Sequence, residues 1–212
     1  MLLKPTIDRS SKMKLLIVLS AIFSTLALAE QPTPPKDNQA QSTDITHLYT
    51  EGNLASTNPL ACVLLSQVKN MDTPADIFKG VRQCVEQNKY DDATDLFAMA
   101  GAYSKFDAER VTDKTAGQAK SALISDAFST VPEDKKNQFS KIQQFRMTNP
   151  ETLKTICSSV KQIGPPNYYP EYMILHGMKA FTGNPYENAL EKDFNAPEAW
   201  RKVLSEYLSC PA

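Results

Sequence analysis

The sequence contains only seven Gly, two His and one Trp in 212 residues. So little glycine, and no glycine-rich run, argues against the loops that cradle phosphates. No Gly-x-Ser-x-Gly elbow and no His-Glu-x-x-His pair occurs, so the common hydrolase signatures are missing. His47 and His176 are far apart and there is no Cys-x-x-Cys, which removes the usual zinc spacing. A calcium loop of the Asp-x-Asp-x-Asp-Gly type is also lacking. The expectation is therefore no metal and no other cofactor. Nor does one sign of charge dominate: 23 basic and 24 acidic residues carry no electrostatic footprint for nucleic acid. What remains is a chain with 42% apolar residues, 14 Pro and four Cys. That is long enough to bury a core in one domain.

The longest apolar run, Leu15–Leu28, covers 14 residues, short of the roughly 20 that span a bilayer. Lys12 and Lys14 precede it, and Ala27-Leu28-Ala29 is a small-x-small pattern before Glu30. The segment reads as a secretory signal peptide over residues 1–29, cleaved between Ala29 and Glu30. Residues 1–12 are an extended basic region or precede a true start at Met13. Cleavage removes Lys4, Arg9, Lys12, Lys14 and Asp8, leaving 19 basic and 23 acidic groups and a net charge of −4. With no Cys just after the cleavage point, no lipid anchor is expected. A periplasmic or secreted location follows, without a stable membrane anchor after cleavage.

All four Cys (Cys62, Cys84, Cys157 and Cys210) lie in the mature part. An even number in an exported chain points to two disulfides. Four Cys allow three pairings. Cys62 and Cys84 are each 11 residues from Thr73, which lies in a break between two apolar stretches. Two helices folded back at Thr73 would bring them level, so the favoured pairs are Cys62–Cys84 and Cys157–Cys210.

Residues 30–57 are rich in Pro, Gln and polar groups and read as a disordered or irregular leader, with 46–57 ambiguous. From residue 58 onward, Pro follows capping residues at Asn58-Pro59, Thr73-Pro74, Asn149-Pro150 and Asn184-Pro185. Proline at the first helical position loses no hydrogen bond, and Asn or Thr before it caps the helix. Apolar residues then recur at helical spacing: Ala93, Leu96, Phe97 and Ala100; Leu153, Ile156, Cys157 and Val160; Trp200, Val203, Leu204, Tyr207 and Leu208. The expected helices are 59–70, 74–88, 91–105, 114–129, 133–146, 150–163, 170–182, 185–192 and 197–209. No alternation supports a sheet. The fold class is all-α: a single domain, residues 58–212, of eight to nine short helices packed as antiparallel hairpins.

Two regions are candidate binding sites. Segment 165–186 holds Tyr168, Tyr169, Tyr172 and Tyr186, half of all Tyr, together with His176. A helix from Pro170 would be apolar on much of its circumference and so central in the fold. Core tyrosines with paired hydroxyls are one reading, and a tyrosine surface offered to a partner is the other. The second region is Asp91, Asp92 and Asp95, with Asp107 and Glu109 downstream. Acids at a helix start need no function, since the helix dipole favours them. Glu187, Glu191 and Asp193 read as a solvated face.

Asn88-Lys89-Tyr90-Asp91-Asp92-Ala93-Thr94-Asp95-Leu96-Phe97, with Ala100 and Tyr103, resembles the first helix of a tetratricopeptide-type repeat. Over residues 88–107 the resemblance implies stacked helical hairpins and a concave surface for a partner. The architecture also resembles small exported bacterial immunity-type proteins. The expected function is a periplasmic interaction protein without catalysis, binding another protein and possessing the form of one that neutralises a delivered toxin by occlusion. Two alternatives stand beside it: a cell-wall or lipid-acting enzyme using His176, and an envelope-assembly chaperone or scaffold.

Overall fold

A computed structural model describes residues 50–211. The expected signal peptide, its expected Ala29–Glu30 junction and residues 30–49 of the expected leader lie outside the described residues. The described residues form eight α-helices: α1 (Pro74–Glu86), α2 (Tyr90–Arg110), α3 (Ala119–Phe128), α4 (Glu133–Thr148), α5 (Pro150–Ile163), α6 (Glu171–Ile174), α7 (Lys179–Thr182) and α8 (Ala196–Lys202). No strand occurs among the described residues, only an isolated bridge between Val111 and Leu190. The fold is all-α, as the periodicity predicts.

Capping chemistry places the helix starts where proline marks them. At α1 the Thr73 hydroxyl accepts from the Asp76 N–H and the Asp76 carboxylate accepts from the Thr73 N–H, a reciprocal cap before Pro74. The Asn149 side chain accepts from the N–H groups of Glu151 and Thr152 at the start of α5. Between α1 and α2 only three residues intervene. Asn88 takes φ +61° there, a left-handed geometry that Asn tolerates better than most residues. The turn folds α1 and α2 into a hairpin.

The 21-residue α2 is the centre of the domain. Its residues Leu96, Met99, Tyr103 and Phe106 are buried against Ile77, Phe78, Val81 and Val85 of α1 and Ile156 and Val160 of α5. Ala93, Ala98, Ala100, Gly101 and Ala102, all buried, let neighbours pack close on several sides. Gly101 faces the Tyr207 hydroxyl so closely that a Cβ there would stand 2.2 Å from it. Trp200 of α8 packs on Tyr103 and Phe106, with ring centroids 5.8 and 6.0 Å apart.

Both expected disulfides are present, Cys62–Cys84 and Cys157–Cys210. Two helices folded back at Thr73 are nonetheless not what brings Cys62 to Cys84. Residues 59–70 do not form a helix; apart from one 3-10 turn, Leu65–Gln67, they run as an irregular strap along α1. Asp76 explains the change. Its buried carboxylate takes bonds from the Ser56 hydroxyl and the Asn58 N–H, and its carbonyl accepts from Leu60 N–H. The strap passes so near α1 that a Cβ on Gly80 would lie 2.8 Å from the Ala61 carbonyl oxygen.

Three further helix expectations are corrected. Residues 170–182 split into α6 and α7 at His176-Gly177. Thr115 Oγ1 accepts the Met178 N–H and Asp113 Oδ2 accepts the Lys179 N–H, so these donors no longer serve one continuous helix. Gly177 is required at the break, because a Cβ would sit 2.3 Å from Asp113 Oδ2. Residues 185–192 are turn and bridge rather than helix. Ala189 accepts the Thr112 N–H, and the Glu191 N–H donates to the Arg110 carbonyl, clipping this segment to the end of α2. The last predicted helix becomes α8 followed by a π-turn at Val203–Tyr207.

Residues 50–57 are irregular and pack on the domain. Leu54 N–H donates to the Tyr172 carbonyl, and Gly52, at φ +84°, lies against Leu175. Chain that the composition grouped with the leader thus forms one wall of the site below.

Candidate functional site

Segment 165–186 divides between interior and surface. Asp107, on the last turns of α2, is fully buried. Its Oδ2 accepts from the hydroxyls of Tyr168 at 2.9 Å and Tyr172 at 2.8 Å. Its Oδ1 accepts from Arg110 Nε at 2.9 Å, three residues along the same helix. Arg110 Nη2 lies 2.7 Å from the same oxygen but makes no well-directed hydrogen bond. The guanidinium stands 5.3 Å from the Phe106 ring centroid and 5.2 Å from that of Tyr168. Burial pushes the Asp107 carboxyl up from its ordinary range, opposed by the Arg110 charge and by the bonds from Tyr172 and Tyr168. Burial, and then the Asp107 charge, hold both tyrosines well above theirs.

This inner cluster supports an outer cleft of about 540 Å³. Tyr168, Tyr169, Tyr172 and Tyr186 line it, with Met71, Leu175, Ala55, Thr57, Thr73, Gly52, Glu51 and Glu171. Tyr169 is 47% exposed, Tyr186 48% and Met71 65%. The Tyr186 hydroxyl donates to Glu171 Oε1 at 2.7 Å, which raises the Tyr186 hydroxyl above its usual range and ties the 184–187 turn to α6. All four tyrosines named from sequence therefore meet at one place, two anchored from below and two open to solvent. Sequence reasoning did not find Glu51, Glu171 or Met71 as wall residues. Nothing in a linear pattern joins positions 51, 71 and 171. Nor did it single out Asp107 and Arg110 as a pair, although their i, i+3 spacing on a helix is a readable signal.

Asp91, Asp92 and Asp95 lie elsewhere. Arg146 of α4 bonds Asp95 Oδ1 at 2.6 Å and stands 3.5 Å from Asp91 Oδ2. This contact ties α2 to α4. Burial raises the Asp95 carboxyl, with Arg146 working against that shift. A shallow depression over Asn88–Asp92 and Ile142 is the nearest hollow.

His176 does not line the tyrosine cleft. It is half-buried, and its Nδ1 is 2.9 Å from Asn53 Oδ1. Burial lowers its proton affinity below the ordinary imidazole value. A histidine held neutral in the fold charges more readily when unfolded. Its contribution is intact above about pH 6.5 and is lost as pH falls from there toward the lowered folded value. His176→Gln should therefore flatten the fall in melting temperature between pH 7 and pH 5.5. An equal fall in both proteins would show that His176 does not carry it.

Among the described residues no group of three His, Cys, Asp or Glu is placed to hold a metal ion. No helix there is long and apolar enough to cross a membrane.

The fold and the cleft define a class, an all-helical domain stapled by two disulfides with a tyrosine-walled surface cleft. No known protein family, no curated protein and no solved structure matches this chain.

Proposed function

We propose that this chain is an exported periplasmic protein-binding protein without catalytic activity, of the immunity type, which neutralises a delivered toxin by covering its site. One observation carries the reading: Tyr169, Tyr186 and Met71 stand exposed together around a cleft whose floor is braced by half-buried Tyr168 and buried Tyr172. Rigid tyrosines with part of their surface in water are the residues that dominate binding energy at protein interfaces. Here the inner pair is held by Asp107, so little order remains to be gained on binding. The disulfides are compatible with an oxidising compartment outside the cytoplasm. A net charge of −4 after cleavage suits a basic partner and speeds encounter with it.

The test is partner capture from periplasm with the oxidised protein, followed by measurement of Kd for the purified pair. Tyr169→Ala/Tyr186→Ala should weaken that pair by about 30-fold or more, as expected for interface hot spots. The same variant should also remove any protection of cells against a neighbouring toxin-delivering strain. Unchanged Kd and unchanged protection would overturn the reading.

A further inference from the structure

We infer that the tyrosine cleft receives a cationic side chain, Lys or Arg, projected by a protein partner. This rests on the protein-binding reading above and adds the chemistry of what enters. Among the described residues Glu51 and Glu171 are the charged residues of its wall, and no Lys, Arg or His lines it. The hydroxyls of Tyr168 and Tyr172 are turned to Asp107 and Tyr172 is buried, so the open ring surface at the cleft is that of Tyr169 and Tyr186, with part of half-buried Tyr168. Aromatic faces attract cations through their quadrupole, and nearby carboxylates supply the countercharge.

The molecule already holds one cation by this chemistry. The Arg110 guanidinium lies over the rings of Phe106 and Tyr168 with Asp107 as its carboxylate. Asp107 neutralises that guanidinium, so the charge left facing the cleft is that of the two glutamates. Glu171 also accepts the Tyr186 hydroxyl at 2.7 Å, holding an exposed ring beside a carboxylate. Cleft size is in keeping: about 540 Å³ accommodates a long side chain together with some of its backbone.

The experiment is an amide NMR titration of the oxidised protein with three probes. These are acetyl-Gly-Arg-Gly-amide, the same peptide with citrulline in place of Arg, and a tetramer of N-acetylglucosamine. Citrulline keeps the shape of arginine and removes its charge. The Arg peptide should move the amides of Gly52, Tyr169, Glu171 and Tyr186, and the citrulline peptide should bind about tenfold more weakly. Glu51→Gln/Glu171→Gln should abolish that preference while leaving the melting temperature near its original value, since both residues are exposed.

Equal affinity for the Arg and citrulline peptides would overturn the cation and leave the protein-binding reading intact. Movement of the cleft amides by the glycan alone would overturn both. No movement with any probe would overturn the cation, and the Tyr169→Ala/Tyr186→Ala measurement would then decide the protein-binding reading separately.

Discussion

Asp107→Ala should destabilise the protein by about 3–5 kcal/mol, the cost of breaking a buried ion pair by removing one partner. The variant leaves Arg110 without its carboxylate and strands the hydroxyls of Tyr168 and Tyr172, whose bonds converge on one buried oxygen. Each unmade bond to a buried group carries its own desolvation cost. Urea unfolding at pH 7 reads the loss as a lower midpoint. Adding Arg110→Met should restore part of it, because no uncompensated charge then remains. A loss under about 1 kcal/mol would show that water or neighbouring groups replace the carboxylate.

The same residue has a pH signature. Burial raises the Asp107 carboxyl in the folded state, so the native protein binds more protons than the unfolded chain above the unfolded carboxylate range. Stability therefore increases as pH falls through the raised folded value toward that range. Asp107→Asn, which cannot titrate, should lack this term. The cleft is affected as well, since Tyr168 and Tyr172 brace its floor. Asp107→Asn should lower partner affinity even where the protein remains folded.

The second large effect concerns the C-terminal end. Cys157→Ala/Cys210→Ala should cost about 4 kcal/mol in the chain-entropy account of a loop this long. The bridge closes a separation of 53 residues, against 22 for Cys62–Cys84, for which the same account gives about 3.4 kcal/mol. The longer bridge also ties the chain after α8 to α5, where Lys161 Nζ donates to the Pro211 carbonyl at 2.9 Å. Trp200 is the single Trp and is buried against Tyr103 and Phe106, so it reports directly on this end. Its emission should shift to the red in the Cys157→Ala/Cys210→Ala protein at denaturant concentrations that leave the parent unchanged. Removing Cys62–Cys84 should lower the midpoint without an early Trp200 shift. Identical Trp200 curves for the two variants would overturn the local account.

Much of the helical framework was legible because local chemistry decides it. Thr73-Pro74 and Asn149-Pro150 carry both the cap and the first-turn residue, and the structure starts α1 and α5 there. The failures have a common cause. Residues 59–70, 170–182 and 185–192 all have enough apolar residues for a helix, yet distant side chains or carbonyls claim their backbone groups. Asp76 captures the N–H groups of Asn58 and Leu60, Asp113 and Thr115 capture the amides beyond Gly177, and Thr112 and Arg110 clip Ala189 and Glu191 to the end of α2. Such competitors come from up to about 80 positions away, and periodicity within a window does not contain them.

The candidate site shows the same division. The abundance of tyrosine in 165–186 was visible, but not which rings would be floor and which rim. That was settled by Asp107, which draws Tyr168 and Tyr172 inward and leaves Tyr169 and Tyr186 in solvent. The aspartates at the start of α2 were equally visible, but their partner Arg146 arrives only when α4 packs on α2.

The sequence by itself determined the all-α class and the starts of the long helices, since each depends on residue type and spacing; it favoured the right cysteine pairs, but the strap held by Asp76, not a second helix, is what carries Cys62 to Cys84. Tertiary structure alone decided where helices break and which glutamates stand beside the tyrosines. A cleft assembled from residues 51–57, 71–73 and 168–186 exists only after folding, because its walls are joined by hydrogen bonds and packing between segments more than 100 residues apart.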